Sequence, residues 1–295
     1  MLVGIDSYSF HRYFGEIYDG GLQVDPGTRW DMLSDFVPYA VDLAVDEVAL
    51  ETIFFPVFDD AYCADLKDAL DEAGLKRVIG WGHPDGLHGG TDEEALADLI
   101  RHIPRAAHVG ASIQRIVAAS MLYVDGDHDE MVRASVGMLK RAVAVAEDNG
   151  VTLAIENHID FTSEEIIRIL EGVGSENLKV NFDTGNALRL FEDPVQAARN
   201  LAPYCVATHT KDIVFRKGGT PTERFTSWPS VPAGQGLIDL PAIAKILNDA
   251  GFQGSLAIEM DLMNAPFDKL TEEENVRESI MYLKWIRTEL EAGRL

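Results

Sequence analysis

The sequence predicts a single (β/α)₈ barrel spanning residues 1–295, and three observations predict it. Eight short β-type runs alternate with eight amphipathic helical segments, the chain order of a closed parallel barrel. Several runs are nearly continuously apolar, as strands covered on both faces must be. No linker, low-complexity tract or fixed-period repeat interrupts the alternation, and one barrel commonly uses roughly 250 residues. An open doubly wound sheet is the competing architecture, but eight β-then-α units favour closure.

The strand candidates are LVGID (2–6), EVALE (47–51), RVIGW (77–81), IQRIVAA (113–119), VTLAIE (151–156), LKVNF (178–182), CVATHT (205–210) and SLAIE (255–259). Helices are expected from Thr28 toward Val45 and over 61–73, 92–109, 130–149, 163–173, 194–201, 240–250 and 272–290. Thr162 with Ser163, Glu164 and Glu165 supplies a cap and early carboxylates that favour a helix N-terminus. Gly74, Gly110, Gly150 and Gly251 each follow a helical stretch, where a left-handed residue ends the helix. Two longer connections, 7–28 and 211–238, fall on the barrel's C-terminal face, where catalytic loops sit.

Composition narrows the partners. The formal net charge is -24, which repels phosphate backbones and anionic lipid headgroups. Nucleic acid and membrane surfaces are therefore not expected partners. No apolar run approaches the about 18 residues of a membrane span. The N-terminus opens directly into a strand-like run without a basic, then apolar, leader. Cys63 and Cys205 form no metal or disulfide pattern. These features lead to the expectation of a cytoplasmic protein.

The chemistry is carried by position. Glu156 ends strand five, Asp183 follows strand six, His209 lies at the end of strand seven, and Glu259 ends strand eight. In a barrel these strand ends converge on one rim. Three carboxylates gathered without a cation would repel, and desolvation would raise their pKa values. A divalent metal removes that cost. The oxygen-rich set suits Mn²⁺ best, with Mg²⁺, Co²⁺ or Fe²⁺ as alternatives, better than a structural zinc site. Such a site fits a polyhydroxylated, sugar-like carbonyl compound.

The strings AIENHID, VNFDTGN, THTKD and AIEMD resemble the xylose-isomerase-like barrel superfamily over essentially the whole chain. That group includes sugar phosphate isomerase/epimerases, ketose 3-epimerases, inosose dehydratases and related endonucleases. The resemblance implies that Glu156, Asp183, His209 and Glu259 bind the metal and that Glu156 and Glu259 also exchange protons with substrate. It implies an isomerase or epimerase working through a metal-stabilised enediolate. Asn186 in DTGN, and THTKD itself, look more like inosose dehydratases and generic sugar phosphate isomerase members than like ketose 3-epimerases. The metal-dependent subunit of C-glycoside deglycosidases is similar too, so a lyase acting on an oxo-sugar or inosose is the alternative. A non-catalytic sugar-binding barrel is a third class. Relatives imply a homo-oligomer, and the deglycosidase branch a second, different subunit. The endonuclease branch fits poorly with the charge and the lone strand-seven histidine.

Other rim residues are substrate-binding candidates. His83 follows strand three, His158 lies two positions past Glu156, and Glu51 ends strand two. Lys211 can stabilise an oxyanion, or pair with Asp212 or a rim carboxylate. Trp228, in a Pro-flanked loop, can form a pocket wall, whereas Trp81 reads as core. Arg216, Lys217 and Arg224 make the strand-seven loop basic enough to meet a phosphate or carboxylate. His11, with Phe10, Tyr13 and Phe14, can close a pocket or join an interface. His102, His108 and His128 read as surface residues on outer helices.

Overall fold

In a computed structural model of the chain, residues 1–18, 23–119, 126–215, 228–263 and 270–295 are described. Eight parallel strands form one sheet. In chain order they are Leu2–Asp6, Glu47–Glu51, Lys76–Gly80, Ile113–Ile116, Thr152–Glu156, Leu178–Asp183, Cys205–His209 and Ser255–Ile258. The eighth strand pairs with the first, and the order then runs in sequence to the seventh. Thr210 closes the remaining seam. Its N–H donates to the Ala257 carbonyl at 2.7 Å, and its carbonyl accepts from the Glu259 N–H at 3.2 Å. The sheet is thus a barrel.

The helices cover its outer face, and their starts are set by local chemistry. Thr162 and Thr271 each form a reciprocal capping box, with Glu165 and Glu274 respectively. Asp92, Asp127, Asp193 and Asp239 accept backbone N–H groups at four other starts. Between the strands and the helices, Ile5, Leu50, Ile79, Leu153, Val180 and Ile258 are fully buried in the main apolar core. Among the described residues, no helix is long and apolar enough to cross a membrane.

Three elements differ from the sequence reading. The span from Thr28 toward Val45 is not one helix. A π-type turn, Met32–Phe36, leads into a short helix, Val37–Asp42. Pro38 lacks an N–H and fits only the first turn of a helix, so the helix starts there. Strand four pairs only over Ile113–Ile116, because the carbonyls of Val117 and Ala118 accept from Leu87 and Gly89 in the loop after strand three. Two short helices, His11–Phe14 and Thr184–Arg189, were not expected. The second is the one that shapes the site.

Candidate metal centre

Glu156, Asp183, His209 and Glu259 come together as expected. Each offers a ligand atom, and those atoms all lie within 4.8 Å of one another. All four side chains are buried. Asp183 shows how local structure aims a candidate ligand. It caps the Thr184–Arg189 helix, its Oδ1 accepting from Gly185 and Asn186 N–H at 2.8 and 2.9 Å. That leaves Oδ2 facing the cluster. His209 is aimed from the other side. Its Nε2 lies 3.1 Å from Asp6 Oδ2, while Nδ1 lies 2.6 Å from Glu259 and 3.5 Å from Glu156.

The surrounding charges define the electrostatics. Lys211 Nζ sits 2.9 Å from Asp183, 3.2 Å from Glu259 and 3.3 Å from Asp261. Arg189 pairs with Asp261 at 2.7 Å, and Arg115 lies 2.9 Å from Glu51 and 3.0 Å from Glu156. Burial alone would raise the Glu156 carboxyl, but Arg115 and then His209 outweigh it and hold it well below the usual range. Glu259 is likewise lowered to about 2, burial being overcome by His209 and Lys211. Asp183 goes the other way, pushed up to about 6 by burial that Lys211 only partly offsets. Burial works against a charged His209, yet Glu259 and Glu156 raise its pKa well above the ordinary value.

This donor set fits a divalent cation. Three carboxylates and an imidazole are a hard, oxygen-rich set. Asp183 Oδ2, Glu259 Oε2 and His209 Nδ1 are buried and make no well-formed hydrogen bond among the described residues. A cation at His209 Nδ1 would displace a proton that only the adjacent carboxylates retain. Asp6 would then receive the Nε2–H and fix the ring, the usual support for a ligating histidine.

The other expected residues are placed as follows. Asn186 is buried, its Nδ2 donating to Glu156 Oε1 at 3.1 Å. Lys211 chooses the rim carboxylates over Asp212, whose carboxylate instead accepts from the Gly234, Gly236 and Ile238 N–H groups. Glu51 is buried beside Arg115, and burial pushes its carboxyl up to about 8 despite that cation. His158 is half-buried, and burial lowers it to about 4, so the ring is neutral at pH 7. His83 is half-buried and stacks on the buried Trp81 ring, with centroids 5.1 Å apart. Trp228 is buried, packs against Phe215 and Phe191, and accepts an N–H from Arg189 on its carbonyl. Arg216, Lys217 and Arg224 lie outside the described residues. His11 is buried and bonded to Gln23. His102 and His128 are half-buried, not fully on the surface, because Asp98 and Glu165 hold them.

Four residues of the site were missed: Asp6, Arg115, Arg189 and Asp261. Asp6 obeys the same rule as the ligands, an acid ending an apolar strand. Asp261 lies within AIEMD. Arg115 is a charge inside a buried strand, which is itself a signal, since a buried charge needs a partner.

Comparisons with known proteins follow the same lines. A family model described as xylose isomerase-like TIM barrel matches residues 37–286. The YihM protein of Escherichia coli (strain K12) is 29% identical over 179 residues, 53% of this chain and 55% of that protein. An inosose dehydratase of Clostridium beijerinckii is 24% identical over 244 residues, 74% of this chain and 81% of that one. A C-glycoside deglycosidase alpha subunit of Microbacterium trichothecenolyticum is 31% identical over 140 residues, 44% of this chain and 34% of the subunit. The chain therefore spans about half of the first of these relatives and a third of the last. Among solved structures, L-ribulose 3-epimerase superposes with a TM-score of 0.73 at 17% identity, covering 100% of this chain and 98% of that one. An IOLI protein with a bound zinc atom gives 0.71 at 16% identity, covering 100% and 99%. These two likenesses establish a shared fold.

Proposed function

The chain belongs to the xylose isomerase-like TIM barrel family, and on that footing we propose that it is a divalent-metal-dependent isomerase or epimerase of a sugar-like carbonyl compound. The observation that carries this reading is the cluster of four ligand atoms, within 4.8 Å, at the ends of four consecutive strands. Glu156, Asp183, His209 and Glu259 would hold the metal, with Mn²⁺ the best fit to the donors. When bound, such an ion polarises a carbonyl and an adjacent hydroxyl and stabilises an enediolate.

The chain's own residues supply the rest. Glu156 and Glu259 are the candidate acid/base pair, Glu259 taking the proton α to the carbonyl and a second carboxylate returning it. Lys211 is a buried cation beside Glu259 and is suited to an oxyanion or a hydroxyl on the substrate. Neutral His158, His83, Glu51, Asn186 and Trp228 are candidates for substrate contact. A cytoplasmic homo-oligomer, or a complex with a second subunit, completes the reading.

One observation favours a second outcome. Lys211 holds an ammonium within 3.2 Å of the Glu259 carboxylate, so a proton donor lies beside the candidate base. The same enolate could then expel a β-leaving group, giving a lyase. The relatives named inosose dehydratase and C-glycoside deglycosidase alpha subunit support keeping it.

The test is a screen of ketoses, sugar phosphates, inososes and 3-oxo-glycosides with Mn²⁺ in D₂O, read by NMR. Solvent deuterium in a product of unchanged skeleton supports the isomerase. Loss of water or of an aglycone moves the assignment to the lyase. No turnover, with no metal bound by the protein, rejects both.

A further inference from the structure

We propose that Arg115 is a positioning residue that fixes Glu156 as a metal ligand, working from a lane that Gly80 opens across the barrel. The proposal rests on the metal reading above, but not on the identity of the reaction.

The sheet register supplies the first observation. Glu51 pairs with Gly80, and Gly80 pairs with Arg115, so the three stand level on strands two, three and four. Residues level on parallel strands project to the same face. Glu51 and Arg115 therefore enter the barrel together, separated by a residue with no side chain. A Cβ at position 80 would lie 2.1 Å from Glu51 Oε1 and 2.5 Å from its carboxyl carbon. Any larger residue there would close the path between the two charges. Gly80 is not at positive φ, so backbone conformation does not demand glycine. Space does.

The second observation is how Arg115 uses that space. Its Nη2 lies 2.9 Å from Glu51 Oε1, and its Nε lies 3.0 Å from Glu156 Oε2. The guanidinium is permanently charged and long enough to lie between two carboxylates at once, as ion pairs rather than as formed hydrogen bonds. Glu156 Oε2 thus lies on the Arg115 side as an ion pair, while Oε1 accepts from Asn186 Nδ2 at 3.1 Å and lies 3.5 Å from His209 Nδ1. By its charge Arg115 draws Oε2 to its own side and leaves Oε1 toward His209. Glu51 holds the far end of the guanidinium, so the positioning chain runs Glu51, Arg115, Glu156.

Glu259 differs. Its outer oxygen meets Lys211, whose ammonium sits on a flexible stem with no fork to orient a carboxylate. The two glutamates are thus held unequally. Glu156 is clamped, and Glu259 is only accompanied.

Charge and position predict opposite results, and this makes the proposal testable. Arg115→Met removes a positive charge beside the site, which by electrostatics alone should tighten binding of a cation. If Arg115 positions Glu156, affinity should instead fall, by about 10- to 100-fold, the usual cost of losing support behind a ligand. Mn²⁺ affinity would be measured by calorimetry on the full chain, with circular dichroism as the check of fold. The double variant Arg115→Met with Glu51→Gln removes both members of the supporting pair, avoids leaving two carboxylates unpaired, and serves if the single variant does not fold. It should show the same loss. Arg115→Lys restores charge without the fork and should not recover wild-type affinity. Equal or tighter Mn²⁺ binding by a folded Met variant, or full recovery by Lys, overturns the proposal while leaving the metal centre standing. A wild-type chain that binds no Mn²⁺ overturns the metal reading itself, and this proposal with it.

Discussion

The two ends of this barrel bury polar groups in opposite ways. At the C-terminal end, Asp6, Glu51, Glu156, Asp183, Glu259 and Asp261 are all buried. They face Arg115, Arg189, Lys211 and His209. At the N-terminal end, Glu47 is a buried carboxyl with a neutral partner, Ser255, whose Oγ donates at 2.6 Å. Each arrangement needs a glycine. Gly80 opens the path between Glu51 and Arg115, and Gly4 leaves room for Ser255, since a Cβ there would lie 2.6 Å from Ser255 Oγ and 2.9 Å from the Glu47 carbonyl. The lesson is in the partners. A hydroxyl meets a carboxyl whose pKa burial raises, whereas a network richer in carboxyls than in permanent cations is suited to receive a metal. In barrels of this kind the N-terminal end is where stability is read and the C-terminal end where chemistry is read.

The comparison breaks first if the C-terminal end does not hold a metal. Asp183→Ala or His209→Ala should remove bound Mn²⁺, lowering affinity by at least about 100-fold and abolishing metal-dependent activity. Elemental analysis of the purified wild-type chain, expected to give roughly one divalent ion per chain, sets the baseline. A variant that keeps wild-type metal content would remove its residue from the ligand set.

A somewhat smaller effect is expected from Glu156→Gln and Glu259→Gln. Each keeps the side-chain shape and removes the ability to exchange a proton, so turnover should fall by about 10²- to 10⁴-fold. Thermal stability should fall somewhat in the metal-free chain, because each carboxylate is held charged by buried cations, Glu156 by Arg115 and Glu259 by His209 and Lys211, that lose a partner. Unchanged rates in both variants would strip the two glutamates of their acid/base roles.

The sequence made these two ends unequally legible. The four candidate ligands could be read because each is an acid or histidine at the end of an apolar strand, and the barrel topology turns four such ends into one place. The support behind them could not. Arg115 sits inside IQRIVAA, and nothing in one strand's pattern shows that a gap on the next strand lets it reach Glu51. That knowledge lives in the register of three strands, which are separated by helices in the sequence. Arg189 was hidden for a different reason. It lies on Thr184–Arg189, a helix too short to show a periodicity. At the other end, Gly4 and Ser255 are 251 residues apart in sequence and meet only because the eighth strand pairs with the first.

Gly4→Ala sharpens the contrast from the stability side. The added methyl would press on Ser255 Oγ and the Glu47 carbonyl, so overpacking should cost about 1–3 kcal/mol. Thermal denaturation should register the loss. Mn²⁺ affinity, read at a temperature where the variant is folded, should stay within about threefold of wild type, because additivity holds for sites without shared partners. Coupled loss of metal affinity would mean that the two ends are not independent.

The smallest expected effect is in the pH dependence of stability, and it isolates Glu47. Burial raises this carboxyl above its ordinary value, and the Ser255 hydroxyl only partly opposes that. The sign follows directly. A carboxyl with a raised folded pKa holds its proton longer in the folded chain than in the unfolded one, so between the two pKa values the folded state binds more protons. Stability therefore falls as pH rises from the unfolded value, about 4.3, through the folded one. Glu47→Gln carries no titrating group and should accept the Ser255 hydroxyl on its amide oxygen. The wild-type chain should lose more melting temperature than the variant between pH 5 and pH 8, and Mn²⁺ affinity should be the same in both. Other buried carboxyls with raised pKa values, such as Asp160 and Asp212, contribute equally to both chains and cancel in the difference. Identical slopes for the two chains would mean that Glu47 is ionised in the folded state, and the N-terminal end would then bury a charge held by Ser255 with only Lys76 to offset it.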